Sequence, residues 1–156
     1  MAFSRMSGGK NRPKKQLPWA VIFFVMLFLQ SPAHAQSNSI RLIFHPDIQQ
    51  QTLTQGQARQ IFSARQQHWE DGSKIHVFVL DTDTAMHQRF CRQILQMFPY
   101  QLERIWNQIT YSGQGDPPHI IDSPEALIEA VYATPGAVGY ASHDVLENRQ
   151  EKVKPQ

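Results

Sequence analysis

The sequence predicts an α/β domain with a mostly parallel sheet flanked by helices. Three observations carry that expectation. Short runs of branched and apolar residues alternate along the chain with stretches of helical period. Helix-start signatures stand ahead of several of those stretches. The part of the chain after an N-terminal leader has the length of one domain and holds a single cysteine, Cys91, so its core must be held by packing without an internal disulfide.

The elements follow in order. Ile40 to Phe44 (IRLIF) reads as an opening strand, stopped by His45-Pro46. Thr54 with Gln57 three residues on is a capping-box pattern, and Ala58, Ile61 and Phe62 follow at helical spacing. That predicts a short amphipathic helix from Thr54 to about Ala64. Asp71-Gly72 makes a turn, and Ile75 to Leu80 (IHVFVL) is a strand apolar enough to be buried on both faces.

Thr82 or Thr84 caps the next helix. In it Met86, Phe90, Ile94 and Met97 recur on one stripe, which Leu95 and Phe98 widen. Pro99 ends that helix and starts another, whose apolar face is Leu102, Ile105, Trp106 and Ile109. After an irregular Gly/Pro loop, His119 to Ile121 reads as a short strand. Asp122 or Ser123 then caps a helix with Pro124 at its first position, where the missing N–H costs nothing. Leu127, Ile128 and Val131 face inward from it. Pro135-Gly136 turns the chain into a last strand, Ala137 to Ala141, in which Gly139 marks a close approach. The residues after Glu147 are polar, and 149–156 read as a disordered tail.

The first 35 residues read as a secretory signal. Arg5, Lys10, Arg12, Lys14 and Lys15 form a basic leader with no acid, Leu17 to Leu29 is an unbroken apolar run, and Ala33-His34-Ala35 is a small-x-small cleavage site. The alternative is an uncleaved anchor, but a run of about 13 residues at about 1.5 Å each falls short of a hydrocarbon core of about 30 Å. The domain then spans 36–148. Without the leader's five cations, 10 basic residues face 13 acidic ones, a net charge of about −3. With no basic stripe in that portion, nucleic acid is not expected as a partner.

Enzyme chemistry finds little support. There is no nucleophile elbow, no Gly-rich nucleotide loop and no metal-ligand spacing, and therefore no cofactor is expected. Six histidines, at 45, 68, 76, 87, 119 and 143, are scattered without an i, i+4 pair. Cys91 lies inside an apolar helix and reads as a structural thiol.

Four pieces in order carry a resemblance: Ile61-Phe62 at a helix end, W-x-D-G-x-x-I from Trp69 to Ile75, "YSGQGDPP" at Tyr111 to Pro118, and "TPGAVGYA" at Thr134 to Ala141. The chain resembles the substrate-binding proteins of phosphate ABC transporters. The resemblance covers nearly all of Ile40 to Ala141 and implies a single lobe of a type II periplasmic-binding-protein-like fold. It further implies a periplasmic, non-enzymatic protein that takes a small anionic or polar solute and meets a membrane transporter or sensor. In that setting Trp69 covers the open side of the core while Asp71-Gly72 reverses the chain.

Two departures shape the expected site. The chain has room for one lobe where the family has two, so a solute would sit in an open half-site. The family's R-S-D-G-S-G-T pattern falls on Leu80-Asp81-Thr82-Asp83-Thr84-Ala85-Met86. The candidate ligand-binding residues are accordingly Thr82, Asp83, Thr84 and Arg89, with Arg89 reaching back from its helix. Asp81 and Asp83 beside the helix start satisfy its free amides and repel phosphate. The alternative function is an interaction or sensory accessory module that keeps the fold and has lost the ligand.

Overall fold

The computed structural model of the protein describes Met1, residues 39–113 and residues 115–153. Apart from Met1 the expected leader, 1–35, lies outside the described residues, as do 154–156 of the expected tail. The elements are β1 (Ile40–Phe44), α1 (Gln55–Phe62), β2 (His76–Leu80), α2 (Ala85–Phe90) with a π-helical turn at Cys91–Leu95, α3 (Pro99–Ser112), β3 (His119–Ile121), α4 (Pro124–Ala133), β4 (Ala137–Ser142) and α5 (His143–Val153).

The four strands form one sheet in the order β1-β4-β2-β3. β2 pairs parallel with both β3 and β4, whereas β1 pairs antiparallel with β4, from Ile40 opposite Ser142 to Phe44 opposite Val138. The sheet is therefore mixed. Helical crossovers join β2 to β3 and β3 to β4 and fix those strands as parallel. β1 meets β4 across almost the whole chain, and no crossover sets its direction.

Local chemistry accounts for the helix ends. The Thr54 amide donates to Gln57 Oε1 at 2.9 Å and the Gln57 amide returns to Thr54 Oγ1 at 3.3 Å, a complete capping box. Ser123 Oγ accepts from the Ala126 amide at 3.2 Å, with Pro124 opening α4. Gln101 Oε1 accepts from the Phe98 amide at 3.0 Å ahead of α3.

The helix expected to run to Phe98 ends sooner. After Phe90 it widens into the π-helical turn and stops at Gln96, which takes a left-handed conformation (φ 48). The widened turn shifts the phase of the stripe. Cys91 and Leu95 are fully buried, Ile94 and Met97 are half-buried, and Phe98 is 60% exposed rather than part of the core. The chain end also differs from the expected tail, because α5 continues through Val153. His143 pairs with Glu147 at 3.3 Å and the Arg149 guanidinium lies over the Tyr132 ring at 5.2 Å. Those two contacts hold as helix a segment that its polar composition alone reads as loose.

β4 is buried along its whole length and divides the core by its alternation. On one face α4 closes over Gly139. A Cβ there would lie 2.8 Å from both Leu127 Cδ2 and Val131 Cγ2, so only glycine allows the helix this near. Tyr140 enters an aromatic cluster, stacked on Phe90 at 3.9 Å, with Phe62 4.6 Å from Phe90.

Trp69 belongs to this core. It is 6% exposed, faces the Phe44 ring at 6.2 Å, and donates its indole N–H to the Gly136 carbonyl at 2.9 Å. Around it the chain reverses: Trp69 N bonds Ser73 O, Gly72 N bonds Trp69 O, and Gly72 takes a positive φ of 84. The ring thus ties the turn before β2 to the turn before β4. This is packing and anchoring.

Candidate functional site at the carboxyl edge of the sheet

Because β2, β3 and β4 run parallel, their carboxyl ends, Leu80, Ile121 and Ser142, share one edge of the sheet. In open α/β sheets that edge is where ligands bind. Three segments leave it, each entering a helix: 81–84 into α2, Asp122-Ser123 into α4, and Ser142-His143 into α5. The expected residues Thr82, Asp83 and Thr84 stand here, on the first segment.

The Thr84 hydroxyl and the Asp83 amide are already engaged within the loop. Thr84 Oγ1 donates to the Asp81 carbonyl at 2.7 Å and accepts from the His87 amide at 3.2 Å. Asp81 Oδ1 accepts from the Asp83 amide at 3.0 Å, so that N–H points into its own loop. Asp83 itself is exposed, and its carbonyl lies 3.5 Å from Gln88 Nε2. Thr84 is therefore the helix cap, Asp81 the turn carboxylate, and Thr82 a half-buried neighbour between them.

Arg89 sits one turn along α2. Its Nε donates to the Ala85 carbonyl at 3.3 Å, and its charge reaches Asp144. The Asp144 carboxyl is held below its ordinary range first by a hydrogen bond from Ser142, with burial opposing it and backbone amides and then Arg89 adding to it. The edge thus carries Asp81, Asp83, Asp122 and Asp144 against Arg89, a field that disfavours anions.

One buried polar chain beneath the edge escaped sequence reasoning. The Leu80 amide donates to Tyr140 Oη at 2.9 Å, Tyr140 Oη meets His87 Nδ1 at 2.7 Å, and His87 Nε2 meets Cys91 Sγ at 3.3 Å. All three side chains are fully buried. The arrangement that pairs the tyrosine proton has Tyr140 donating to Nδ1, with the imidazole proton on Nε2 facing sulfur. The i, i+4 spacing of His87 and Cys91 was the available signal.

This chain is inert as a nucleophile and base. Burial lowers the His87 pKa to about 4, partly opposed by the Asp81 charge, and pushes the Cys91 thiol up to about 12. Burial also raises the Tyr140 hydroxyl. The thiol stays protonated and the imidazole neutral at neutral pH, the reverse of an activated Cys–His pair. Its structural effect is clear: His87 pins the 81–84 segment twice, by its amide to Thr84 and by its ring through Tyr140 to Leu80.

A separate cleft of about 390 Å³ lies where β2 and β3 begin, and none of the four expected residues lines it. Its floor is Ile61, Ile75 and Val77. Its rim carries His76, His119 and the ion pair of Lys74 with Asp116. The lysine's hydrogen bond, then its charge, holds Asp116 below the ordinary carboxylate range, with smaller help from His119 and His76. Among the described residues no group of three or more His, Cys, Asp or Glu is placed to hold a metal ion. Nor is any helix among them long and apolar enough to cross a membrane.

No protein-family model and no curated protein sequence matches the chain. Among solved structures it is similar to PstS from Borrelia burgdorferi, with a TM-score of 0.54 and 19% sequence identity. That similarity covers 73% of this chain and 44% of the other, so the chain spans less than half of that neighbour. At this identity the likeness speaks for the fold: a lobe like part of PstS, with a mixed four-stranded sheet.

Proposed function

We propose that this chain is an exported, periplasmic, non-enzymatic lobe of the solute-binding kind, related to the phosphate-binding components of ABC transporters, with only a weak hold on a small anion such as phosphate. The fold likeness to PstS and the ordered motifs from Ile61 to Ala141 support the kinship. The basic leader and apolar run of residues 1–35 support export. The position of Thr82, Asp83 and Thr84, at the carboxyl edge where a parallel sheet presents its helix starts, supports the site. A membrane transporter or sensor is the partner this reading implies.

The weak hold follows from one observation: the loop's own Asp81 and Thr84 engage the Asp83 amide, the Thr84 hydroxyl and the His87 amide, three groups an oxyanion would use. Phosphate arriving there displaces internal bonds and meets two carboxylates, Asp81 and Asp83. That same observation favours a second reading, an accessory module that keeps the lobe and works by protein contact.

Thermal melts of the protein lacking residues 1–35, with phosphate, sulfate and a panel of small polar solutes, separate the two. A saturable rise in Tm that Thr82→Ala with Thr84→Ala abolishes identifies a solute-binding lobe, since a ligand at 100 times its Kd adds about 2.7 kcal/mol. No response to any solute identifies the contact module.

A further inference from the structure

A groove between the end of α1 and the length of α3 carries chemistry that neither the fold nor the carboxyl edge explains. Two adjoining hollows, of about 360 and 330 Å³, share Arg65 and Ile105. Their floor is apolar, with Met97, Ile105 and Ile109, and their walls are guanidinium and amide: Arg59, Arg65, Gln60, Gln96, Gln101 and Gln108. No carboxylate lines either hollow, although acids outnumber bases in the chain after residue 35. On α3 the lining residues fall at Gln101, Ile105, Gln108 and Ser112, one continuous stripe, while Glu103 lies off that stripe.

The two arginines differ. Arg59 is committed, donating from Nε to the Leu95 carbonyl at 2.6 Å and from Nη2 to the Gln96 carbonyl at 3.1 Å. Arg65 is exposed, and among the described residues its guanidinium has no hydrogen bond or ion pair. Among the described residues the two non-glycine positions with positive φ, Ala64 (φ 55) and Gln96 (φ 48), stand on these walls. Beside the groove's Gln96–Met97 end, Phe98 and Tyr100 are 60% and 65% exposed and stack on each other at 5.7 Å.

We infer that this groove is a docking site for an extended acidic segment of a partner protein, with a carboxylate on Arg65 and an apolar side chain against Phe98 and Tyr100. A planar guanidinium without a partner is suited to a bidentate carboxylate. Glutamine amides, each both donor and acceptor, suit the backbone of an extended chain. From Gln101 to Ser112 the stripe runs roughly 16 Å at 1.5 Å per residue, room for about five residues of extended chain. Two adjoining hollows make a concave surface, which suits a single chain better than a flat lipid surface. The site is separate from the carboxyl edge and does not depend on the anion reading.

The test uses fluorescence anisotropy with three labelled peptides of one length: an Asp/Glu-rich peptide ending in Phe, its Asn/Gln counterpart, and its Lys counterpart. The acidic peptide binds saturably and the others do not. Arg65→Glu weakens binding about tenfold or more, whereas Arg41→Glu, the same charge change on β1, leaves it intact. Raising salt from roughly 0.05 to 0.5 M also weakens it. Arg65→Gln, with an unchanged Tm, repeats the loss without reversing charge. Equal losses for Arg65→Glu and Arg41→Glu overturn the site, because binding then follows net charge. Equal affinity for all three peptides, no peptide binding, or preferential binding to vesicles of phosphatidylserine and phosphatidylcholine overturns it as well.

Discussion

Replacing His87 by glutamine changes how stability depends on pH, and the size of the change can be worked out from the burial of the ring. In the folded chain His87 titrates at about 4, against 6.5 for an ordinary imidazole, because burial disfavours its charged form. The unfolded chain therefore binds more protons between those values, and stability falls as pH drops through that window. Above about pH 7.5 both states are neutral at this residue and the penalty vanishes. At about 1.4 kcal/mol per pH unit, the cost reaches about 2 kcal/mol near pH 5 and about 3 kcal/mol near pH 4. Urea denaturation at a series of pH values from 7.5 to 4 measures it, with each variant compared to its own stability at neutral pH. Other groups, including the carboxylates, titrate in both proteins and cancel in the difference. The native protein loses about 3 kcal/mol more than His87→Gln on going from pH 7 to pH 4. Parallel curves for the two proteins refute the reasoning, since they mean that the ring takes up its proton without leaving the folded state.

Three further outcomes follow from the packing. Gly139→Ala forces a methyl to within 2.8 Å of Leu127 and Val131 and lowers stability by about 1–3 kcal/mol, read as a shift in urea midpoint at constant slope. Trp69→Phe keeps a ring against Phe44 but removes one of the two hydrogen bonds to the Gly136 carbonyl, which keeps the His76 amide, costing about 1 kcal/mol in the same assay. Cys91, fully buried with its thiol pushed up to about 12, does not react with Ellman's reagent in the native protein and reacts completely once urea unfolds it.

What the sequence made legible is what local chemistry decides. The Thr54/Gln57 box, the Ser123 cap ahead of Pro124, the Asp71-Gly72 turn and the close approach at Gly139 each depend on a few neighbouring residues, and each is found where the sequence puts it. Parallel pairing of β2, β3 and β4 was legible from alternation of strand and helix. The antiparallel β1 was not, because nothing in its five residues says which neighbour it meets. The π-helical turn at Cys91–Leu95 was hidden for a different reason. A widened turn leaves no composition signal, and reading straight through it put Phe98 on the buried stripe and Ile94 and Met97 deeper than they lie, while Leu95 is buried as read and Cys91 joins it. His87 was counted among scattered histidines because only three dimensions bring it to Tyr140, 53 residues away. The 81–84 loop shows both sides. Its aspartates were legible as helix-start residues, but which carboxylate bonds which amide is set by the fold, and Asp81 rather than Asp83 does that work.

The central claim is that the carboxyl edge of the sheet is closed by its own side chains. Isothermal titration of the chain lacking residues 1–35 with inorganic phosphate at pH 7.5 tests it most directly. The account predicts no saturable heat below about 1 mM phosphate, where binding would be worth about 4 kcal/mol. A micromolar Kd that Thr84→Ala removes would contradict it.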